Sequence, residues 1–590
     1  MRVLTVLLVV LLFTIQAAAQ TADITVKELE QHVYTLASDS LKGRKPGTEE
    51  DRLSANYIQD QIAFDNVHFL GDKGLQVFEI VSSVELGENN ALTAADTTLV
   101  VGQDYIPFAF SENGRVEAPV AFVGYGFDIQ TDSLTWNDYQ NVDVTGKWVM
   151  VLRGEPEIDS TNSPFIPYSD LRKKVFVAKD HGAAGVLFVS GGYFDAEDDL
   201  PELLIKDSHI TAGLPTLQLK KPMADRLVAS RGVTVDSLEA RLNATRLPFS
   251  FVTDQQVSAT IDVQRVQKPT HNVVAVLPGL DPVLQHEYVI LGAHYDHLGF
   301  GGPGSGSRRP DTTAIHNGAD DNASGVAVAM EVFEKLAAQQ QDLKRSVLFI
   351  AFAAEEMGTL GAKHFTENPL LDLDDATFMF NFDMVGRLDS TRELSLSGTG
   401  TAAGLEDLLT EVADPYKFKL GFSSEGLGPS DHAAFYAEDI PAVHFFTGVH
   451  DDYHTPADDP ELLNYPGTKQ VADYAFDLIW EMANRPEPLA FQLAGPQERS
   501  MSRRNFKVTL GIMPDVAGQE TRGLRVDAVM PERPAFHAGM EKGDIIISMD
   551  GRPVKDVYEY MHRLSEFEVG QRISVEVIRG DETEILIVEL

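Results

Sequence analysis

The chain has 590 residues, 43% of them hydrophobic and 23% charged, with a formal net charge of −41 and no cysteine. That length exceeds one hydrophobic core and predicts three or four domains. The acid excess repels phosphate backbones and argues against a nucleic-acid partner. The lack of cysteine excludes disulfides, a cysteine nucleophile and thiolate metal sites, so any metal must be held by His, Asp and Glu.

Residues 1–20 have Arg2 ahead of a nearly apolar run, then Ala17-Ala18-Ala19. This reads as a signal peptide and predicts an exported protein, periplasmic or extracellular. No later run approaches about 20 apolar residues, so no membrane span is expected. Residues 24–64 read as two helices, with apolar stripes at Leu29, Val33 and Leu36 and at Ala55, Ile58 and Ile62, joined by a loop over 41–48. From about residue 76 the pattern turns to short strands, at 77–81, 98–101, 120–123 and 147–152. A helix over 173–181 and a buried strand over 185–190 follow, and this β-rich block ends near residue 250.

The middle of the chain has a different rhythm. Between about 272 and 484, apolar strands at 288–293, 347–353, 377–382 and 442–446 alternate with amphipathic helices such as 324–338. This predicts an α/β core on a mostly parallel sheet. Residues 485–504 are polar, rich in Arg and Pro, and read as a linker. A β-rich module follows to residue 590.

Polar residues collect where the middle strands end. The first strand runs into His294-Tyr295-Asp296, the second into Glu355-Glu356, the third into Asp383, and the fourth leads to a loop with His454. A further turn, Gly318-Ala319-Asp320-Asp321-Asn322, opens a helix. Strand ends of an open parallel sheet line one crevice, so these residues are expected to converge. Alone, a His-x-Asp is a weak signal and a Glu-Glu pair is ordinary surface; the agreement of five segments is what counts. Imidazoles and carboxylates without thiolates suit a pair of zinc ions or similar divalent metals. Asp296 is placed to accept the free N–H of His294. Asp321 is the choice for a bridging carboxylate, and one glutamate of the pair can ligate while the other takes a proton.

These segments resemble the M28 zinc peptidases, a family that includes bacterial leucyl-type aminopeptidases. The matching stretches are Gly292-Ala293-His294-Tyr295-Asp296, the turn from Gly318 to Gly325, Ala354-Glu355-Glu356-Met357-Gly358, Asn381-Phe382-Asp383-Met384 and Tyr453-His454-Thr455-Pro456. The resemblance implies two Zn2+ ions: His294 and Asp383 on one, Glu356 and His454 on the other, and Asp321 bridging. It further implies Glu355 as general base and Asp296 as orienting residue. Gly43-Arg44 and Gly47-Thr48 also look like the start of such enzymes. Residues 121–127, 146–149 and 182–186 resemble a protease-associated domain, and Leu510-Gly511-Ile512 with Gly543-Asp544-Ile545-Ile546 resemble a PDZ domain. The implied layout is a peptidase domain in two parts, 21–95 and 255–484, around a protease-associated insert at 96–254, with a PDZ domain at 505–590. Its partners would be peptides with a free N-terminus, plus a peptide or protein C-terminus at the PDZ domain.

One departure stands out. Some family members carry an oxyanion-stabilising tyrosine shortly before Ser-Asp-His, and here Gly426-Leu427-Gly428-Pro429 precedes Ser430-Asp431-His432. Tyr453 or a zinc ion is the substitute. Asp431, Asp451 and Asp452 are candidates to bind the substrate amine. The rival readings are a carboxypeptidase or glutaminyl cyclase on the same scaffold, and a non-catalytic binding protein.

Overall fold

The computed structural model describes residues 23–131, 133–160, 162–204, 210–494, 508–515, 520–580 and 582–590. The expected signal peptide and residues 495–504 of the expected linker lie outside them.

The core is a nine-stranded sheet. Its centre is four parallel strands in the order Ser346–Phe352, Tyr288–His294, Ala376–Phe382 and Ala442–Phe446. The first two are buried along their whole length, as parallel strands covered on both faces must be, and hence they read as unbroken apolar runs. One face carries the helices Val26–Leu36, Gly325–Ala338 and Tyr465–Asn484. The other carries Leu360–Glu367 and His432–Tyr436. The first helix forms where Thr25 caps the amide of Glu28 and Leu29, His32, Val33 and Leu36 fall on one buried stripe.

The sheet is mixed, and this corrects the expectation of a mostly parallel one. Val263–Leu277 lies antiparallel to Ser346–Phe352, and both Leu75–Leu86 and His68–Phe69 lie antiparallel to Val263–Leu277. On the other side Glu393–Ser397 is antiparallel to Ala442–Phe446. The flanking strands are only partly buried, so they lack the continuous apolar signature that marked the centre.

Leu75–Leu86 and Val263–Leu277 pair from Leu75 opposite Val273 to Leu86 opposite Val263. This long ribbon is the stalk of the insert. Beyond it the chain builds a separate eight-stranded sheet from Ala91–Ala94 to Ser250–Ile261, with its own core around Trp148, Phe122 and Leu187. The insert therefore begins and ends a few residues outside the expected 96–254. Residues 485–494, expected as linker, instead run along the peptidase domain. Arg345 donates to the carbonyls of Arg485 and Pro486, the Gln492 amide bonds Thr401, and the Ala494 amide donates to the Tyr436 hydroxyl.

The C-terminal module is a six-stranded sheet with the helices Pro534–His537 and Val557–Leu564. Among the described residues, no helix is long and apolar enough to cross a membrane.

Candidate metal centre

The strand Tyr288–His294 ends on His294 itself, and Asp383 directly follows Ala376–Phe382. Glu355 and Glu356 follow Ser346–Phe352 after a turn in which Ala354 takes a positive φ of 58°. The turn Ala319–Ser324 is pinned to the third strand. Asn322 donates to the Phe382 carbonyl (2.9 Å) and accepts from the amides of Gly325 (3.1 Å) and Met384 (3.2 Å). Asn322 is fully buried, so its Asn-Ala-Ser context is no accessible glycosylation site.

These elements bring the expected residues together. His294 Nε2 lies 3.4 Å from Asp383 Oδ1 and 3.4 Å from Asp321 Oδ1. His454 Nε2 lies 3.1 Å from Asp321 Oδ2 and 3.1 Å from Glu356 Oε2. The two oxygens of Asp321 thus face two different groups of donors. Glu355 Oε2 stands 3.9 Å from His294 Nε2. Asp296 sits behind, but at 3.7 Å from His294 Nδ1 it is beyond hydrogen-bond length. Its hydrogen bonds go instead to the amides of Glu355 (3.0 Å) and Glu356 (3.3 Å). Asp296 therefore orients the glutamate pair as well as facing the imidazole.

Other partners had little signal in the sequence. His297 Nδ1 is 2.7 Å from Glu356 Oε1, and its position also permits a donor group with Asp321 and Glu356. Asp321 lies 3.1 Å from His454 Nε2 but 4.0 Å from His297 Nδ1, and His297 meets the Glu356 oxygen opposite the one that faces His454. His297 is thus best placed to hold Glu356 from outside. Ser430 donates to Asp383 Oδ2 (2.9 Å). Asp458 accepts the amides of Asp320 and Asp321 and is met by Arg387. The Gly306 carbonyl, 3.1 Å from His454 Nδ1, takes its N–H and leaves Nε2 free.

The electrostatics favour a cation. Asp296, Asp321, Glu355, Glu356, Asp383 and Asp431 converge in a largely buried space on two imidazoles. Burial alone would lower the His454 pKa, yet Asp321 and Glu356 raise it to about 11. Burial holds the Glu355 carboxyl well above the ordinary range, against the pull of His294. For Glu356 burial is outweighed by the hydrogen bonds of His297 and His454, and its pKa falls. Such an excess of buried negative charge is stable only when compensated. An oxygen and nitrogen donor set of this kind fits zinc or a similar divalent ion.

Of the amine-binding candidates, Asp431 is fully buried with neither oxygen hydrogen-bonded, and burial pushes its carboxyl up to about 8. Asp452 is engaged by Arg387 and Asp451 is exposed. Tyr453 stacks on His454 with ring centroids 3.9 Å apart. Burial, reinforced by Asp321 and Glu356, keeps its hydroxyl protonated.

Residues 272–479 match the model of Peptidase family M28. The chain carries a domain of peptidase family M28. The M28 domain is followed by a PDZ domain, matched over residues 508–590. Aminopeptidase YwaD of Bacillus subtilis (strain 168) is 24% identical over 490 residues, covering 80% of this chain and 90% of that protein. A probable leucine aminopeptidase 2 of Aspergillus oryzae is 25% identical over 367 residues, 60% of this chain and 61% of the relative. Among solved structures, an aminopeptidase from Aneurinibacillus sp. strain AM-1 is 22% identical, covers 82% of this chain and 99% of its own, and superposes with a TM-score of 0.47.

Proposed function

We propose that the chain is an exported two-zinc aminopeptidase, with an inserted protease-associated domain and a PDZ domain that takes a peptide or protein C-terminus. The observation that carries the two-metal reading is Asp321, whose oxygens face His294 with Asp383 on one side and His454 with Glu356 on the other. The aminopeptidase reading is supported by the relatives, which are aminopeptidases, and by the buried, unpaired carboxylate of Asp431 as a partner for a substrate ammonium.

Bound zinc would supply Lewis acidity at the scissile carbonyl and acidify the attacking water. Glu355 accepts the proton of that water at its carboxylate and returns it to the leaving amine. Asp296 fixes the main chain of both glutamates, so the base cannot drift from the ligand beside it. Tyr453 provides a hydroxyl donor for the developing oxyanion, the task left open by the missing tyrosine before Ser430.

Two measurements test this. Elemental analysis should find close to two zinc equivalents, and chelation should abolish hydrolysis. On peptides with free, acetylated and amidated ends, residues should leave from the free amino end, and acetylation should block release. Removal of residues from the carboxyl end of an acetylated peptide would establish a carboxypeptidase instead.

A further inference from the structure

The Gly43-Arg44 pair belongs to the first loop of the chain, far in sequence from every candidate ligand. Arg44 is nonetheless fully buried. Its Nε donates to the Tyr295 carbonyl (2.7 Å), Nη1 to those of Leu36 (2.6 Å) and Asn317 (2.6 Å), and Nη2 to that of Gly318 (3.0 Å). Every acceptor is main chain. Tyr295 lies between His294 and Asp296, while Asn317 and Gly318 lead directly into the turn that bears Asp321. Leu36 anchors the guanidinium to the end of the first helix.

The backbone places the side chain there. Gly43 has a φ of 72°, and a Cβ on it would collide with the carbonyls of Gly299 and His316. The glycine lets the loop wedge between the segment after His294 and the segment before Asp321. The Gly299 amide donates to the Gly43 carbonyl (3.0 Å), which closes the wedge.

We propose that Arg44 is a positioning residue of the metal centre, fixing through main-chain carbonyls the two segments that carry Asp321 and the His294–Asp296 pair. The inference rests on the two-metal reading above. The planar fork with five N–H groups makes four such bonds to three separate segments; a lysine ammonium has three donors at a single point and cannot span them all. Because its partners are carbonyls, the guanidinium leaves the carboxylates of Asp321, Asp296 and Glu356 free for metal while adding a positive charge behind them. Burial draws its pKa down to about 10, and those carboxylates oppose the fall, so it remains charged at neutral pH.

Arg345 provides the control. It is also fully buried and also bonds carbonyls, those of Met482, Arg485 and Pro486, together with Glu287. It precedes the strand Ser346–Phe352, whose other end leads to Glu355. That strand separates it from the centre by roughly 20 Å at about 3.3 Å per residue.

Full-length Arg44→Lys and Arg345→Lys are compared with the parent by zinc competition against a chelator, by the absorption spectrum of the cobalt-loaded protein, and by unfolding of the chelated protein. Losing a residue that orients metal ligands typically weakens binding about 10- to 100-fold. That loss is expected for Arg44→Lys, with an altered cobalt spectrum, while Arg345→Lys keeps the parental affinity and spectrum whatever stability it loses. Parental zinc affinity and spectrum in Arg44→Lys, or an equal loss in Arg345→Lys, overturns the positioning role alone. A parent that binds no zinc overturns the two-metal reading with it. If Arg44→Lys does not fold, Arg44→Ala is titrated with guanidinium ion at sub-denaturing concentration. Recovery of zinc affinity supports the role, and an absence of recovery overturns it.

Discussion

At the scale of single residues, a side chain was legible in the sequence when its own chemistry was on display. His294, Glu356, Asp383 and His454 stand at or beyond strand ends and Asp321 in a turn that opens a helix, all as imidazoles and carboxylates, and the structure gathers them. The roles of Asp458, Ser430 and Arg44 were not legible, because they act on main-chain groups or on another residue's second oxygen, and no spacing rule marks such a partner. Asp296 was half legible: it was expected to accept the His294 N–H, but it stands 3.7 Å from that nitrogen and instead grips the Glu355 and Glu356 amides. Glu355 makes the sharpest prediction at this scale. Glu355→Gln keeps size and polarity but cannot take a proton. Loss of a general base costs about 10²–10⁴ in rate. Turnover should fall by that factor while zinc content and substrate affinity stay parental. Elemental analysis and steady-state kinetics on one variant check it, and near-normal turnover would place the base elsewhere.

Elements were legible where burial was uniform. The parallel centre of the sheet could be read as apolar runs; the antiparallel ribbon that carries the insert could not, because its strands face solvent on one side and lie nearly 180 residues apart in the chain. The turn Ala319–Ser324 shows what holds the centre between elements. Its non-helical backbone at Asp321 and Asn322 is secured by the Asn322 side chain, which satisfies the Phe382 carbonyl and the Met384 and Gly325 amides. Asn322→Ala leaves those buried groups without partners, at about 1–3 kcal/mol for an unsatisfied group. The variant should be less stable in denaturant titrations by at least that amount. It should also bind zinc more weakly, because the same side chain holds Asp321 relative to Asp383. Parental zinc affinity in a measurably destabilised protein would show that the turn is held by other contacts.

At the scale of the molecule, the PDZ domain is docked. Its helix Val557–Leu564 lies against the insert helix Leu171–Asp180, where Arg563, 2% exposed, grips both oxygens of Asp180 at 2.5 and 2.8 Å. Lys179 pairs with Glu559, and Arg172 stacks over Tyr558 at 4.3 Å. On the peptidase side Arg525 pairs with Glu367 and Lys542 with Glu438. These last contacts fall at the ends of the helical segments remote from Glu355 and Asp431, so among the described residues these ion pairs hold the PDZ domain away from both. Asp180→Asn should therefore leave turnover of a small aminoacyl anilide unchanged and loosen the domain, since hydrogen bonds to a charged group contribute about 1.5–3 kcal/mol. Acid should act in the same direction. Burial raises the Asp180 pKa, but His562 and Arg563 outweigh it and hold the carboxyl below its usual range. A depressed carboxylate contributes stability above its unfolded pKa of about 3.9 and loses it as pH falls through the folded value. Docking should thus be intact at neutral and mildly acid pH and weaken only below about pH 4. Small-angle scattering of the parent and of Asp180→Asn, alongside anilide turnover at neutral pH, decides it. A compact variant would mean that the peptidase contacts suffice for docking. A loosened variant with collapsed turnover would mean that the docked domain is part of the working site.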